Sequence, residues 1–324
     1  MKKHFEVAMY IGIDIGGTHI KAVITNQSGD TIGFTKTSTP KSACLIESKI
    51  INIINSFTKS QSISIKKIKS IGIGAAGSID KQKGIIIASP NIPVWDNYPL
   101  IKRIKEATGI VTFLENDATA AVIGEWWKGH GNKFKNWIML TLGTGIGGGA
   151  VINNQLYTGK QGSAMEFGHI TIDYNGRKCP CGNRGCLEMY ASATALVRTI
   201  RRELWKYTDS TIYSRIHKEE LTAKIVYEEI NRGDKFAFQT FLKVSTLLGI
   251  GIANLVNIFN PEAVIIGGGL SRAHKLILPV IKDVVGERAL DGLKEDIKYL
   301  VVKDEDKKAA LGAAKVAIDN QQNL

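Results

Sequence analysis

Cysteine is scarce in this chain: there are 4 among 324 residues, and three of them fall between Cys179 and Cys186. A disulfide framework would spread its half-cystines along the chain, so this clustering favours metal chelation in a reducing, cytoplasmic compartment; Cys44 stands alone. Acidic charge is also short, with 30 Asp and Glu against 42 Lys and Arg, a formal net charge of +12. The basic residues are scattered, Lys66, Lys67 and Lys69 in one place and Arg198, Arg201 and Arg202 in another. With no basic stripe interleaved with aromatics, the charge is read as a solvated surface and not as a nucleic-acid partner, although an anionic small molecule would be attracted by it. Glu6 and Asp14 interrupt any N-terminal apolar run, and no later stretch is expected to reach the ~20 apolar residues of a membrane span, so neither signal peptide nor membrane is expected. A Walker pattern and a dinucleotide fingerprint with its trailing acid are both missing, which excludes an ordinary P-loop or Rossmann site.

The chain is long enough for two cores. Short β-branched runs at 9–15, 20–25 and 31–37 form a three-stranded meander around the turn Gly16-Gly17-Thr18. A helix over 44–59, a strand over 70–74, a helix over 100–108, a strand over 110–115 and a helix over 118–128 follow, an alternation that implies a mainly parallel or mixed sheet. A second meander begins at Trp137, and its Thr141-Leu-Gly143-Thr144-Gly145 aligns with Asp14-Ile-Gly16-Gly17-Thr18. Ile71 to Ser78 likewise has a counterpart in Val264 to Ser271, so the chain reads as a duplication of one α/β unit. Residues 191–258 read as mostly helical, and Asn260-Pro261 stops the last of these helices. Lys303 to Lys308 reads as a loop, and an Ala-rich helix over 309–318 is expected to return to the first domain. The expected division is 1–117 plus 309–324, and 118–308, with a hinge between.

Chemistry-bearing residues cluster in a few places. Glycine turns directly after strands, at Gly16, Gly17, Gly145, Gly147 and Gly148, let backbone N–H groups approach phosphate oxygens, and Thr18 and Thr144 add hydroxyls. Gly267 to Gly269 forms a third such turn; each alone is also what a tight hairpin needs. Asp14 is the candidate to orient Mg²⁺ through water. Asp117, where a strand meets a helix, reads either as an ordinary helix N-cap or as the carboxylate that accepts a hydroxyl proton in phosphoryl transfer. His169, Cys179, Cys181 and Cys186 suit one closed, structural Zn²⁺ site, flanked by Glu166 and Glu188.

Asp14-Ile-Gly-Gly-Thr18, Glu115-Asn-Asp-Ala118, Leu142 to Gly149, Glu166-Phe-Gly-His169 and the Cys179 to Glu188 cluster together resemble the ROK family of bacterial sugar kinases and related repressors. The resemblance covers essentially the whole chain and is closest to the glucokinase branch. It implies two duplicated ribonuclease H-like (actin-like ATPase) domains with a nucleotide and sugar cleft between them, whose closure excludes water. It further implies that Asp117 is the catalytic base, that Asn91, Asn116, Glu166, His169 and Glu188 contact the sugar, and that ATP lies across Gly16 to Thr18, Thr144, Gly145 and Gly268. The implied partners are a hexose, most simply glucose, and Mg-ATP, with homodimerisation common in the family. N-acetylmannosamine or N-acetylglucosamine is the alternative substrate. A sugar-responsive regulator is the alternative class, set back because only about eight residues precede the first strand, too few for a DNA-reading module. Ala76 stands where the family commonly carries proline before Gly77, so that loop near the sugar is expected to be less rigid.

Overall fold

The computed structural model describes residues 8–61, 63–89 and 92–322. In chain order the elements are β1 (Met9–Ile15), β2 (His19–Asn26), β3 (Thr31–Ser38), α1 (Ala43–Ser60), β4 (Ile68–Ala75), β5 (Ser78–Asp80), β6 (Ile85–Ala88), β7 (Asp96–Tyr98), α2 (Leu100–Thr108), β8 (Val111–Asn116) and α3 (Asp117–Lys128). There follow β9 (Trp137–Leu142), β10 (Ile146–Ile152), β11 (Gln155–Leu156), α4 (Glu188–Ala191), α5 (Ala193–Glu203), α6 (Thr211–Arg215), α7 (Ala223–Asn231), α8 (Lys235–Phe259), β12 (Ala263–Gly267), α9 (His274–Arg288), β13 (Lys298–Val301) and α10 (Glu305–Gln322). Two compact units result, one of residues 1–133 and 303–324, the other of residues 134–302. The first break lies past the expected 117/118 because α3 packs on α10 and so stays with the first unit.

Each unit carries one five-stranded sheet, in the orders β3-β2-β1-β4-β8 and β11-β10-β9-β12-β13. The two also agree in strand direction, with an antiparallel meander followed by two parallel strands, so the duplication read from the sequence extends to topology. A further small antiparallel sheet, β5-β6-β7, sits between β4 and α2.

Strand alternation decides what each face of the first sheet does. Ile11, Ile13 and Ile15 of β1 join the core formed with Ile46, Ile50 and Ile54 of α1. Tyr10, Gly12 and Asp14 occupy the other face. There, a Cβ on Gly12 would collide with the Ala310 carbonyl, and one on its register partner Gly72 with the Ala313 carbonyl. The missing side chains let α10 lie directly on the sheet. The same device joins α10 to α3: a Cβ on Gly124 would strike the Lys308 carbonyl, and one on Gly312 the Ala120 carbonyl. The helix α10 begins at Glu305, not at 309; Glu305 and Asp306 fill its first turn, where acidic side chains favour the helix dipole over a loop.

In the second unit α8 is 25 residues long and apolar enough to cross a membrane by composition, contrary to expectation. It is instead a core helix: Phe241, Leu248, Ile252 and Val256 are buried in the cluster that includes Leu140, Leu142 and Ile266. Asn260, at a left-handed φ of 44°, ends it.

One polar contact in the first unit is fully enclosed. Lys308 Nζ lies 3.2 Å from Glu125 Oε2 and donates to the Lys128 carbonyl at 2.9 Å, with both side chains buried. Removing one partner strands the other charge, so Lys308→Ala is expected to cost about 3–5 kcal/mol. Urea unfolding of Lys308→Ala beside Glu125→Leu/Lys308→Met measures this, and the double variant should recover most of the loss.

Candidate active site

In the first unit the site grows from the hairpin β1–β2. Gly16 N–H donates to the His19 carbonyl at 3.0 Å, and Thr39 ties the turn down through Gly16 and Thr18, leaving Gly17 and Thr18 exposed at its tip. Antiparallel register pairs Asp14 with Lys21, whose ammonium is 3.8 Å from the carboxylate. Asp14 is buried, and that burial pushes its pKa up to about 7; Lys21 pulls it down, while Asp117 and Glu305 push it further up. Sheet order and the packing of α3 and α10 thus bring together three acids from distant parts of the chain. Glu305 was not legible in the sequence because Lys303 to Lys308 reads as a loop. Lys21 could have been found, since it is the hairpin partner of Asp14 about the glycine turn.

Asn116 is the N-cap of α3: its Oδ1 accepts from Ala118 N at 3.0 Å and Thr119 N at 3.1 Å, and its Nδ2 donates to the Gly77 carbonyl at 3.2 Å. Asp117 is therefore the first residue of the helix and not its cap. Its Oδ1 accepts from Ala118 N at 2.9 Å, so the carboxylate sits at the positive end of α3. Glu115 beside it is buried, accepts from Asn116 N, and is paired with Lys81. Ala76 N–H donates to the Ile15 carbonyl at 3.4 Å, a contact that proline could not make. The loop is thus tied to the end of β1 where ring rigidity is lacking. Asn91 lies outside the described residues.

In the second unit the turn Gly143-Thr144-Gly145 closes through a hydrogen bond from Gly143 N to the Gly145 carbonyl at 2.9 Å, with Thr144 exposed. Gly268, at φ 84°, lies against the end of β9, where a Cβ would meet backbone atoms of Leu142. The second and third glycine turns therefore adjoin at the carboxyl ends of neighbouring parallel strands. Gly148 serves packing instead of phosphate access, since a Cβ there would strike the ring of Phe167.

The segment from Glu166 to Glu188 is pressed onto this turn. Met165 holds φ 69°, and a 3₁₀ turn, Phe167–His169, follows Glu166. Gly182, at φ 96°, folds Cys-Pro-Cys-Gly into a tight loop with Gly182 N bonded to the Cys179 carbonyl at 3.0 Å. The donor atoms of His169, Cys179, Cys181 and Cys186 consequently lie within 4.8 Å of one another. Cys179 Sγ is 3.7 Å from His169 Nδ1, and Cys181 Sγ is 3.7 Å from Cys186 Sγ. A tetrahedral ion with metal–sulfur bonds of about 2.3 Å needs sulfurs about 3.8 Å apart, so the set fits such an ion. Burial, reinforced by hydrogen bonds with Cys179 and Cys181, pushes the Cys186 thiol up to about 12. A bound dication is what would let the Cys186 thiol ionise.

Glu188 opens α4 and accepts from Ile146 N at 2.8 Å; a Cβ on Gly145 would collide with its carboxylate. Glycine at 145 therefore makes room for Glu188. Glu166 has its pKa raised, chiefly by burial of the carboxyl and also by Glu188, against the opposing pull of His169.

A model of the ROK family matches residues 10–320. This chain belongs to the ROK family. Its fold is the duplicated ribonuclease H-like, actin-like ATPase architecture of ROK kinases. The crystal structure of a ROK family glucokinase from Streptomyces griseus in complex with glucose and AMPPNP matches with a TM-score of 0.84 at 32% identity, over 96% of this chain and all of that one. Among curated proteins, this ROK chain is 38% identical over 278 residues to a glucokinase of Thermotoga maritima, covering 85% of this chain and 86% of that protein. It is also 33% identical over 321 residues to a xylose repressor of Caldicellulosiruptor bescii, covering 97% of this chain and 79% of that protein.

The Asp14 environment has a consequence for pH. Below about 7 the carboxyl is protonated and cannot attract a cation; above it, the carboxylate is ionised. If Asp14 orients the Mg²⁺ of Mg-ATP, affinity is expected to weaken as pH falls from 8 to 6, by at most about tenfold per unit once below the pKa. Titration calorimetry at several pH values measures the slope, which Asp14→Asn should flatten.

Proposed function

We propose that this protein is an ATP-dependent hexose kinase that transfers the γ-phosphate of ATP to a hydroxyl of glucose, giving glucose 6-phosphate. The observation that carries this reading is Asp117. A carboxylate at a helix N-terminus, beside Asp14 on a glycine turn and supported by an N-cap asparagine, suits a base that accepts a hydroxyl proton while phosphates are held nearby. The capping role at the start of α3 is taken by Asn116. The glucokinase of Thermotoga maritima and the glucose-bound glucokinase of Streptomyces griseus support glucose as the acceptor.

In this reading Asp117 is the catalytic base, and Asp14 orients Mg²⁺ through water. Gly16, Gly17, Thr18, Thr144, Gly145 and Gly268 contact the nucleotide. Asn91, Asn116, Glu166, His169 and Glu188 contact the sugar; Asn116 keeps one amide hydrogen for this, because its other polar valences hold α3 and Gly77. Zn²⁺ on His169 Nδ1 with Cys179, Cys181 and Cys186 would leave His169 Nε2 to face the substrate, and would fix the distance from Glu166 to Glu188. Free thiols throughout accord with a reducing cytoplasm. A transcriptional regulator is the second reading, favoured by the likeness to a xylose repressor.

Two measurements test this. Asp117→Asn should lower kcat for glucose-dependent ADP formation by roughly 10²–10⁴-fold with little change in glucose affinity. Near-normal turnover by that variant would overturn the base assignment, whereas the absence of ADP formation by wild type with any hexose, together with sugar-dependent binding of specific DNA, would favour the regulator. Cys181→Ser should lose metal, read by elemental analysis, and weaken sugar binding about 10–100-fold while sparing ATP. Unchanged sugar affinity in a metal-free variant would show that the brace is dispensable.

A further inference from the structure

The second unit contains a cavity of ≈ 470 Å³ that none of the residues assigned to catalysis lines. Its charged lining is Arg177, Arg202 and Lys243 on one side of the balance and Asp173 on the other, over a floor that includes Val244 and Leu247 of α8. Four separate segments build it: the loop before Cys179, α4 through Tyr190, α5 through Arg202, and α8 through Lys243.

One of the cationic groups, Arg177, is held in place. The Arg177 guanidinium stacks over the Tyr190 ring at 4.8 Å, and its Nη1 donates to the Met189 carbonyl at 2.8 Å. The Tyr190 hydroxyl accepts from Arg177 N at 2.7 Å and donates to Asp173 at 3.1 Å, so the one acid in the lining is turned toward Tyr190 and leaves the lining with a net positive charge of two, three cations against one carboxylate. Arg202 is paired with Glu203 at 2.9 Å, but that pair is solvent-exposed and weak. Glu203, the partner of Arg202, also acts on Arg177 and Lys243 through space, so the three cations share a single acid outside the lining.

We propose that this cavity is an anion site for a small phosphate monoester of about hexose phosphate size. A stacked, partly tethered guanidinium presents its remaining N–H groups in a fixed fork, which matches phosphate, and Lys243 adds a point charge. The cavity is within the usual range for small-molecule sites, about 300–1,000 Å³, and the apolar floor gives an organic body a surface that inorganic phosphate would not use. Occupancy would be felt at Glu188 and the second glycine turn, because Arg177 holds the carbonyl of Met189, the residue after Glu188, and Glu188 in turn holds the Ile146 N–H of that turn. That regulatory consequence rests on the kinase reading; the binding itself does not.

The test is calorimetry on the zinc-replete full chain in saturating glucose, with glucose 6-phosphate, inorganic phosphate and sodium sulfate as separate titrants. Wild type should bind glucose 6-phosphate at a site that Arg202→Ala/Lys243→Ala weakens at least tenfold, with inorganic phosphate and sulfate binding more weakly. Both altered residues are exposed, so the fold and the ester-free kcat and KM should be unchanged. Equal affinity of wild type and double variant overturns the site, and equal affinity for inorganic phosphate overturns the ester assignment. A chain that binds the ester in this manner yet fails to phosphorylate any hexose would sink the kinase reading and leave the anion site standing.

Discussion

The first unit depends on backbone meeting backbone. Where Gly12 and Gly72 lie side by side in the sheet, α10 can seat its carbonyls on the strands, and where Gly124 faces Lys308 and Gly312 faces Ala120, α3 can seat on α10. No larger residue fits at these points without separating layers that are otherwise in van der Waals contact. The arrangement fixes more than the core. It sets the start of α3, the end of β1 and the start of α10 beside one another, and so gathers Asp117, Asp14 and Glu305 into one electrostatic neighbourhood. The raised pKa of Asp14 is a direct product of that packing, since burial contributes the largest share and the two other acids add to it.

The second unit reaches comparable order by a different route. Its Glu166 to Glu188 segment has little regular structure; it is held by a tight Cys-Pro-Cys-Gly turn, which brings together four atoms able to ligate a metal, and by Phe167 and Gly168 packed against Gly148 and Ile146 of the hairpin. Glu188 links this segment to the second glycine turn through Ile146 N–H. One carboxylate oxygen of Glu188 is thereby committed to the glycine turn, which ties the position of the whole segment to that turn.

Much of this was legible in the sequence. Local signals were sufficient for the meanders, because β-branched runs bounded by glycine turns have few other solutions, and for the duplication, because the turns recur in the same order. Ligand spacing was sufficient for the metal set, since Cys-x-Cys-x4-Cys forms a loop too short to place its sulfurs far apart. Local signals failed where the deciding interaction was distant. The start of α10 was misread because Lys303 to Lys308 carries no apolar periodicity. An apolar helix as long as α8 can be told from a membrane span only by what surrounds it, and here Thr240, Gly249 and Gly251 are buried along with its apolar residues.

The sequence by itself determined the chemical inventory: which turns carry glycine, which carboxylates and thiols exist, and the order in which strands and helices succeed one another. Only the tertiary structure decided how those groups are used. It made Asn116 the helix cap and released Asp117 from that role, turned Gly148 from a phosphate candidate into a seat for Phe167, chose Nδ1 of His169 for the cysteine cluster, and assembled a cationic cavity from arginines and a lysine scattered over about 70 residues. The reason is range: backbone propensity and hydrogen bonding act over a few neighbours, whereas burial, charge and close packing are set by whichever parts of the chain the fold brings into contact.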